Sequence, residues 1–564
     1  MPDYPKLIKD RERELLGLYG RMDDDRKLLY LANYVMKDAK GKDVRDVVNV
    51  TLNKPSVFAS NVISALNSTR QQVVVESDSS KVETADIEEF IQAAFDTANY
   101  ARVNAGEAHL NFFADTQCCI RGRAARRVLF RIEDGVLKSD IQSWDTRFVT
   151  YEQSDEGLAW AAYKSYRGKA QIEAEYGHVI PSQYGWVSDV WDSDHNEVWI
   201  GNDKVLEQEH FYGFCPVVLQ IVGLGYGNIL MDDDRLKYEG ESIFYMIRSL
   251  VPELNRWITI LQTLNLKTIK PPIKQKKKGG GEPEEYEDLT GMGAVTAIEP
   301  EEDIARIDYG DAIRATQLVY QAIEKGLQEG SYTDIDIGNV KQPFSAVALI
   351  TIGESKDQVY LPRLAARETL NQATADMFIR QVVQVAQQEG MATVELGLPG
   401  HKRAFKVSDL EQEYQISFKS FLKSPKTDVA RMAIAQQAQE FYDPMMILED
   451  VLQVENPKEV MRKRYYYMAE KIDPNILRHR VIMNLLEMAD EGDEDAEIEA
   501  EIMAASMGVS IEQIKQGQIA PAAAPANGQN RQEGLLPLLG KGGTVGEIPR
   551  AAIRSASPEE AGTD

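Results

Sequence analysis

The stretch ESIFYMIRSLVPELNRWITILQTLNL, residues 241–266, followed by Lys270-Pro271-Pro272, decides how this chain is read. Ile243, Ile247, Leu250, Leu254, Trp257, Leu261 and Leu264 step along it by alternating fours and threes, the spacing of a heptad seam. Phe244, Val251 and Ile258 form a second apolar line, so the helix has a face wide enough to pack on two sides. Pro252 must kink the helix or start a new turn. The double proline ends it, because a residue before proline avoids the α region and proline donates no backbone hydrogen bond. Periodicity alone is equally consistent with a helix packed inside one chain.

Working outward, residues 273–311 hold the charged low-complexity run KQKKKGGGEPEEYEDL and two short apolar runs, MGAVTAI and DIARIDY, that read as strands of a small β-containing module. AIRATQLVYQAIEKGLQEG returns to helix. A polar, glycine-containing stretch, 330–343, leads into the longest helical segment; residues 345–389 would span on the order of 65 Å if straight, with Gly353 and Pro362 as possible bends. On the N-terminal side, Leu28, Leu29, Leu31 and Val35 recur at helical spacing within a helical arm over 4–40. Segments 54–68 and 86–103 repeat that pattern, and helices are expected to dominate to about residue 115. From Cys118 to Val222 the texture becomes β-rich, in RRVLFRI, RFVTYE, LAWAAYKSY and NEVWI, with one short helix at 169–177 ended by Gly177. Beyond 423, Asp443-Pro444, Asn456-Pro457 and Asp473-Pro474 each put a capping side chain before a proline suited to the first helical turn. The Ala/Pro/Gly-rich tail from about 519 lacks the apolar surface to fold alone.

Composition bounds the function. With 564 residues the chain exceeds the size at which one core stops growing, so two to four regions are expected. Its 43% hydrophobic and 27% charged residues exclude a globally disordered protein. A net charge of -26 argues against tight binding to DNA phosphates. The sequence has no run of eighteen or more apolar residues, so no membrane partner is expected. The charged start MPDYPKLIKDRERELL is unlike a signal peptide, which implies a cytoplasmic site of assembly. Cys118, Cys119 and Cys215 cannot make a disulfide framework or a zinc site and read as reduced core residues.

The order of these elements resembles the portal proteins, or head-to-tail connectors, of short-tailed bacteriophages. The resemblance covers roughly residues 1–500 and is most specific from Tyr226-Gly227-Asn228 through the apolar helix and Lys270-Pro271-Pro272 to the Gly291/Gly293 turn, the strands and the returning helix. It implies a predominantly helical α+β fold: an N-terminal arm and α/β wing over 1–241, a stem helix over 242–266 and a clip over 267–311. A second stem helix over 312–329, a tunnel loop over 330–343 and a long wing helix with its return over 344–422 would follow. A helical crown over 423–518 and a disordered tail over 519–564 complete the order. The resemblance further implies a homo-oligomeric ring, usually a dodecamer, at one capsid vertex of the virion, and it implies no cofactor. Double-stranded DNA would pass through the ring during packaging and ejection with weak contacts. Terminase, tail adaptor, major capsid and scaffolding proteins would be its partners.

Ile247, Leu250, Leu254, Trp257 and Leu261 are the expected stem-packing residues, and Asn339, Lys341 and Gln342 the channel-facing candidates. Lys274, Lys276, Lys277 and Lys278 could touch DNA or an acidic adaptor, though a solvated loop balanced by neighbouring glutamates explains them as well. Arg462, Lys463 and Arg464 beside Tyr465, Tyr466 and Tyr467 suggest packed tyrosines with a charged exterior sooner than a single-strand binder. Gly223, Gly225 and Gly227 lack dinucleotide-loop spacing, and Gly534 to Lys541 lacks that of a P-loop. Asp192, Asp194 and Asn196 mimic the opening of a calcium loop, but Glu197 stands at the glycine position, so a hairpin turn is expected. No catalytic or metal-binding residue is assigned. The alternatives are another phage head or tail ring and, from a different class, a metal-dependent nuclease built on carboxylates such as Asp232, Asp233 and Asp234.

Overall fold

The structure is a computed structural model that describes residues 3–77, 82, 84–133, 136–155, 157–269, 273–276, 303–306, 312–331 and 346–421, together with a discontinuous set of positions in 432–511. The chain divides into two units, Met1–Glu455 and Asn456–Asp564, and it is α+β as expected.

The first unit opens with helices α1 (Tyr4–Glu14), α2 (Leu16–Leu29) and α3 (Lys54–Asn67), strand β1 (Arg70–Glu76), and helices α4 (Thr84–Asn104) and α5 (Leu110–Ile120). Asp3 caps α1 by accepting from the Lys6 N–H, and Pro5 occupies its first turn, where a missing N–H costs nothing. The β-rich region comprises β2 (Arg123–Glu133), β3 (Val136–Trp144), β4 (Val149–Ser154), β5 (Gly157–Gly168), α6 (Lys169–Tyr176), β6 (Tyr184–Trp191), β7 (His195–Ile200), β8 (Asp203–Glu209) and β9 (Val217–Ile221). Helix α6 ends at Gly177 with φ +66°, a left-handed cap. Then come α7 (Leu250–Ile269), β10 (Ile273–Lys276), β11 (Asp303–Arg306), α8 (Ala312–Glu329), α9 (Ala346–Glu389), β12 (Thr393–Leu398), β13 (His401–Lys406), α10 (Val407–Leu410), β14 (Gln415–Phe421) and the short α11 (Pro444–Met446).

Three layers build the body. One five-stranded sheet has the order β13-β12-β3-β2-β9, and the other is the meander β4-β5-β6-β7-β8. The two faces of β2 show how the layers separate, since successive side chains on a strand point opposite ways. Ala124 and Val128 face a core with Phe90 and Ile91 of α4 and Phe378 and Val382 of α9. Ala125 faces Tyr151, Ala161 and Trp191 of the second sheet. On the meander's far face, Trp160 and Ala162 of β5 pack against Tyr4 and Ile8 of α1. Strand β1 pairs antiparallel with β14, from Arg70 opposite Phe421 to Glu76 opposite Gln415. In the second unit, α12 (Glu494–Ser506) buries Ala500 and Ala504 against Ile482 and Leu486.

Several expectations are corrected. The N-terminal arm is helical only to Leu29; Leu31 turns the chain with φ +52°, and Val35 is exposed in non-helical chain. Strand β1 falls in a region where helices were expected to dominate, because Val73 and Val75 find a partner some 340 residues away in sequence, across β14. Cys118 and Cys119 belong to α5, and the strand texture starts only at Arg123. All three cysteines are free and buried. The apolar helix starts at Leu250, so that Ile243 and Ile247 lie in turns that precede it; Pro252 then sits in its first turn, one of the positions where proline is tolerated. It continues to Ile269. Strand β11 falls within DIARIDY, but its partner is Ile273–Lys276, which overlaps the start of the run read as low complexity. MGAVTAI, the Lys270-Pro271-Pro272 stop, most of 330–343, the Asn456-Pro457 and Asp473-Pro474 caps and the 519–564 tail lie outside the described residues. Helix α9 runs unbroken through Pro362. Asp443 does cap its helix, accepting from the Met445 N–H at 2.7 Å. Tyr465 and Tyr467 are exposed instead of packed.

Candidate functional site

Helices α7 and α8 lie against each other, and the antiparallel β10–β11 pair joins the end of one to the start of the other, with Ile273 opposite Arg306 and Lys276 opposite Asp303. The pair is rooted in the body by an apolar cluster. Ile247 and Leu254 are buried there with Phe244 and Val251, against Phe58 and Val62 of α3, Ile120 of α5, Leu327 of α8 and Leu364 of α9. Of the five expected packing residues, Ile247 and Leu254 are buried, while Leu250, Trp257 and Leu261 are half-buried. Away from the root the apolar surface is uncovered: Leu266 on α7 and Leu318 on α8 are 43% and 62% exposed. Lys54 of α3 and Glu324 of α8 form an ion pair on the flank.

A charge network clamps the same root. Arg248 donates to both Asp25 carboxylate oxygens, at 2.6 and 2.9 Å, and to Glu241 at 2.7 Å. Arg21, from the same helix as Asp25, donates to the Lys237 and Gly240 carbonyls at 2.8 Å each. Burial lowers the Arg21 guanidinium to about 10, against the raising effect of Glu241. Burial likewise raises Asp25, although hydrogen bonds from Arg248 pull it back. Such a buried network is costly to break because each remaining charge loses its partner.

Sequence reasoning missed a second feature of α7. Asn255, Thr259 and Thr263 are buried, four residues apart, among the apolar positions. The Leu52, Val50 and Val48 N–H groups donate to their side chains at 3.0, 3.0 and 3.1 Å respectively. Four residues of helix advance about 6 Å and two residues of extended chain about 6.6 Å, so the two repeats stay in step over three contacts. Residues 48–52 are thus an extended strap running antiparallel to the helix. The alternate residues Thr51 and Asn49 accept from the Tyr34 and Met36 N–H groups at 2.8 and 2.9 Å, which doubles the strap into a hairpin. The available signal was the N-x-x-x-T-x-x-x-T spacing facing the alternating VVNVTL of 47–52.

The remaining candidates are placed as follows. Lys274 and Lys276 lie on β10, whereas Lys277, Lys278, Asn339, Lys341 and Gln342 lie outside the described residues. Asp192 and Asp194 occupy the β6–β7 hairpin turn: Asp192 Oδ1 accepts from the Asp194 and His195 N–H groups at 2.7 and 2.5 Å, and its Oδ2 accepts from Tyr4 Oη. Asn196 donates instead to Asp189 at 2.8 Å. Asp192, Asp194 and His195 bring potential metal-ligating atoms within 4.8 Å of one another, but the Asp192 oxygens are already used by the turn. The glycine-rich stretch forms the turn before the helical pair, with Gly225 at φ +98° against the Tyr238 carbonyl. Among the described residues no helix is long and apolar enough to cross a membrane.

No family model matches the chain, and no curated protein matches it. Among solved structures, the neck of an empty gene transfer agent particle computed with C6 symmetry is similar over 69% of this chain and 87% of that one, at 10% identity and a TM-score of 0.35. The virion of a native gene transfer agent particle is similar over 71% of this chain and 89% of that one, at 11% identity and a TM-score of 0.36.

Proposed function

We propose that this chain is the portal protein of a tailed phage, a ring at one capsid vertex through which the genome is packaged and ejected. The observation that carries the reading is the α7–β10/β11–α8 unit: two packed helices joined by a small β tip and anchored in an α/β body. Closed rings use heterologous contacts, so a helix needs one face for its own subunit and another for the neighbour. The uncovered Leu266 and Leu318 are consistent with that second face. In this reading α7 and α8 are the stem, the β10–β11 region the clip, residues 330–343 the tunnel loop and α9 the long wing helix. Terminase docks on the ring and supplies the chemical energy, tail adaptors replace it, and the subunit itself makes and breaks no bonds. A net charge of -26 suits a conduit that guides DNA without gripping it.

Electron microscopy of the purified chain tests the proposal. Rings with a central channel wide enough for duplex DNA are expected, and a preparation containing only monomers would overturn it. Cleavage of DNA by the purified chain with added magnesium would overturn the non-enzymatic role.

A further inference from the structure

The second unit carries its charge unevenly. Residues 457–486 contain seven Lys and Arg against three acidic residues, whereas residues 487–501 contain nine acidic residues and no basic one. Each stretch also presents large apolar side chains to solvent. On α12 the usual amphipathic arrangement is inverted. Small Ala500 and Ala504 are buried with Ile482 and Leu486, while Ile498 and Ile502, one turn apart on the opposite face, are 56% and 66% exposed. Glu501 shares that outward face, three residues from Ile498, and Glu499 is exposed beside it.

The basic stretch offers the counterpart. Arg464, Tyr465 and Met468 are helical and exposed, and spacings of three and four residues put Arg464 and Tyr465 on one face with Met468. Tyr465 is 61% and Met468 46% exposed. Both surfaces are open on the same subunit, so neither covers the other there. Grouped apolar side chains left uncovered mark an interaction site. Complementary charge decides which surfaces meet: an aliphatic ridge rimmed by carboxylates suits an aromatic and thioether face beside a guanidinium.

We propose that the outward face of α12 in one copy of this chain packs against the Arg464, Tyr465 and Met468 face of a second copy. Ile498 and Ile502 lie against the Tyr465 ring and the Met468 side chain, and Glu501 pairs with Arg464. The contact is head-to-tail, each copy offering one surface to either neighbour, and it repeats around a closed ring. That closure rests on the portal reading, whereas the contact itself needs only a second copy.

Cross-linking of the full chain tests the contact. Cys118, Cys119 and Cys215 are buried, so Ile502→Cys and Met468→Cys introduce solvent-facing thiols on a background of inaccessible ones. With a short bis-maleimide, a mixture of the two single variants should give covalent dimers that neither gives alone, and a chain carrying both substitutions should give a ladder of trimers and larger species. Adding Glu499→Lys and Glu501→Lys should cut the ladder about tenfold, and adding Arg464→Glu to that chain should restore it. Thermal unfolding of each variant verifies that it is folded. Absence of cross-links in folded variants, dimers from either single variant alone, or yields indifferent to charge reversal would overturn the proposal. Rings seen by electron microscopy without cross-links would remove this contact and leave the portal reading standing, while a cross-linked ladder in a preparation without rings would do the reverse.

Discussion

Gly122 and Gly240 cross where two chain segments meet, Gly122 at φ +75° and Gly240 at φ +67°. A Cβ on Gly122 would lie 1.7 Å from the Gly240 carbonyl oxygen, and that atom is backbone that cannot rotate away. Gly122→Ala is therefore expected to cost on the order of 2 kcal/mol or more, read as a lower unfolding free energy in denaturant. Neither residue stood out in the sequence, since the clash exists only between segments over a hundred residues apart. The arginines of RGRAARR teach the same lesson. Arg123 and Arg126 are about 1% exposed, although charged residues on a strand are expected to face solvent. Arg123 donates to Tyr151 Oη and the Glu239 carbonyl, and Arg126 to Asn371 and the Leu110 carbonyl. Asp115 supplies a titratable test of such burial. Its value rises from 3.8 to about 6, mainly by desolvation and against the lowering effect of Arg367. A carboxyl that holds its proton more tightly when folded favours the folded state as pH falls through the window from about 6 to 3.8, and loses that contribution as pH rises back through it. Wild-type protein should thus gain stability on acidification across that window relative to Asp115→Asn, measured by denaturation midpoints; identical pH profiles would contradict the assignment.

Among the elements, α7 was the most legible and also the most altered by its surroundings. Its heptad pattern identified Leu254, whose side chain is 1% exposed in the cluster that roots the helical pair. Leu254→Asp places an unpaired charge there and should cost several kcal/mol. The expected outcome is a lower thermal midpoint together with failed higher-order assembly on a sizing column. The start of α7 was misplaced because Ile243 and Ile247 keep the apolar spacing while the backbone there is in turns; spacing reports which residues are buried, not which dihedrals bury them. The strap on α7 was invisible for a related reason. Asn255, Thr259 and Thr263 look like ordinary polar helix positions until the extended chain supplies donors at matching intervals. Thr259→Val leaves the Val50 N–H without its partner, at a cost of about 1–3 kcal/mol. Hydrogen exchange followed by mass spectrometry should show faster exchange in the peptide spanning 47–53, with α7 itself still protected. Unchanged exchange would mean that the side-chain ladder does not hold the strap. The β1–β14 pairing was likewise lost to sequence reading, since QQVVVE carries strand character but its partner lies at 415–421.

At the scale of the molecule, the local patterns of the sequence established the α+β class, the hairpin turn at Asp192, the free buried cysteines, the returning helix Ala312–Glu329 and the long helix ending at Glu389. These depend on periodicity, turn chemistry and composition, each of which acts over a few neighbouring residues. The place of the apolar helix in the whole order of elements also carried the resemblance from which a ring is proposed. Tertiary structure alone decided the separation of the strands into two sheets, with β12 of the C-terminal half added parallel to β3. It alone set the buried arginine network, the strap along α7, and the burial of Asp115 against Arg367. The physical reason is common to them all. A long-range hydrogen bond or strand pairing depends on complementary groups far apart in sequence, and the residue types at one end carry no record of which distant partner will meet them.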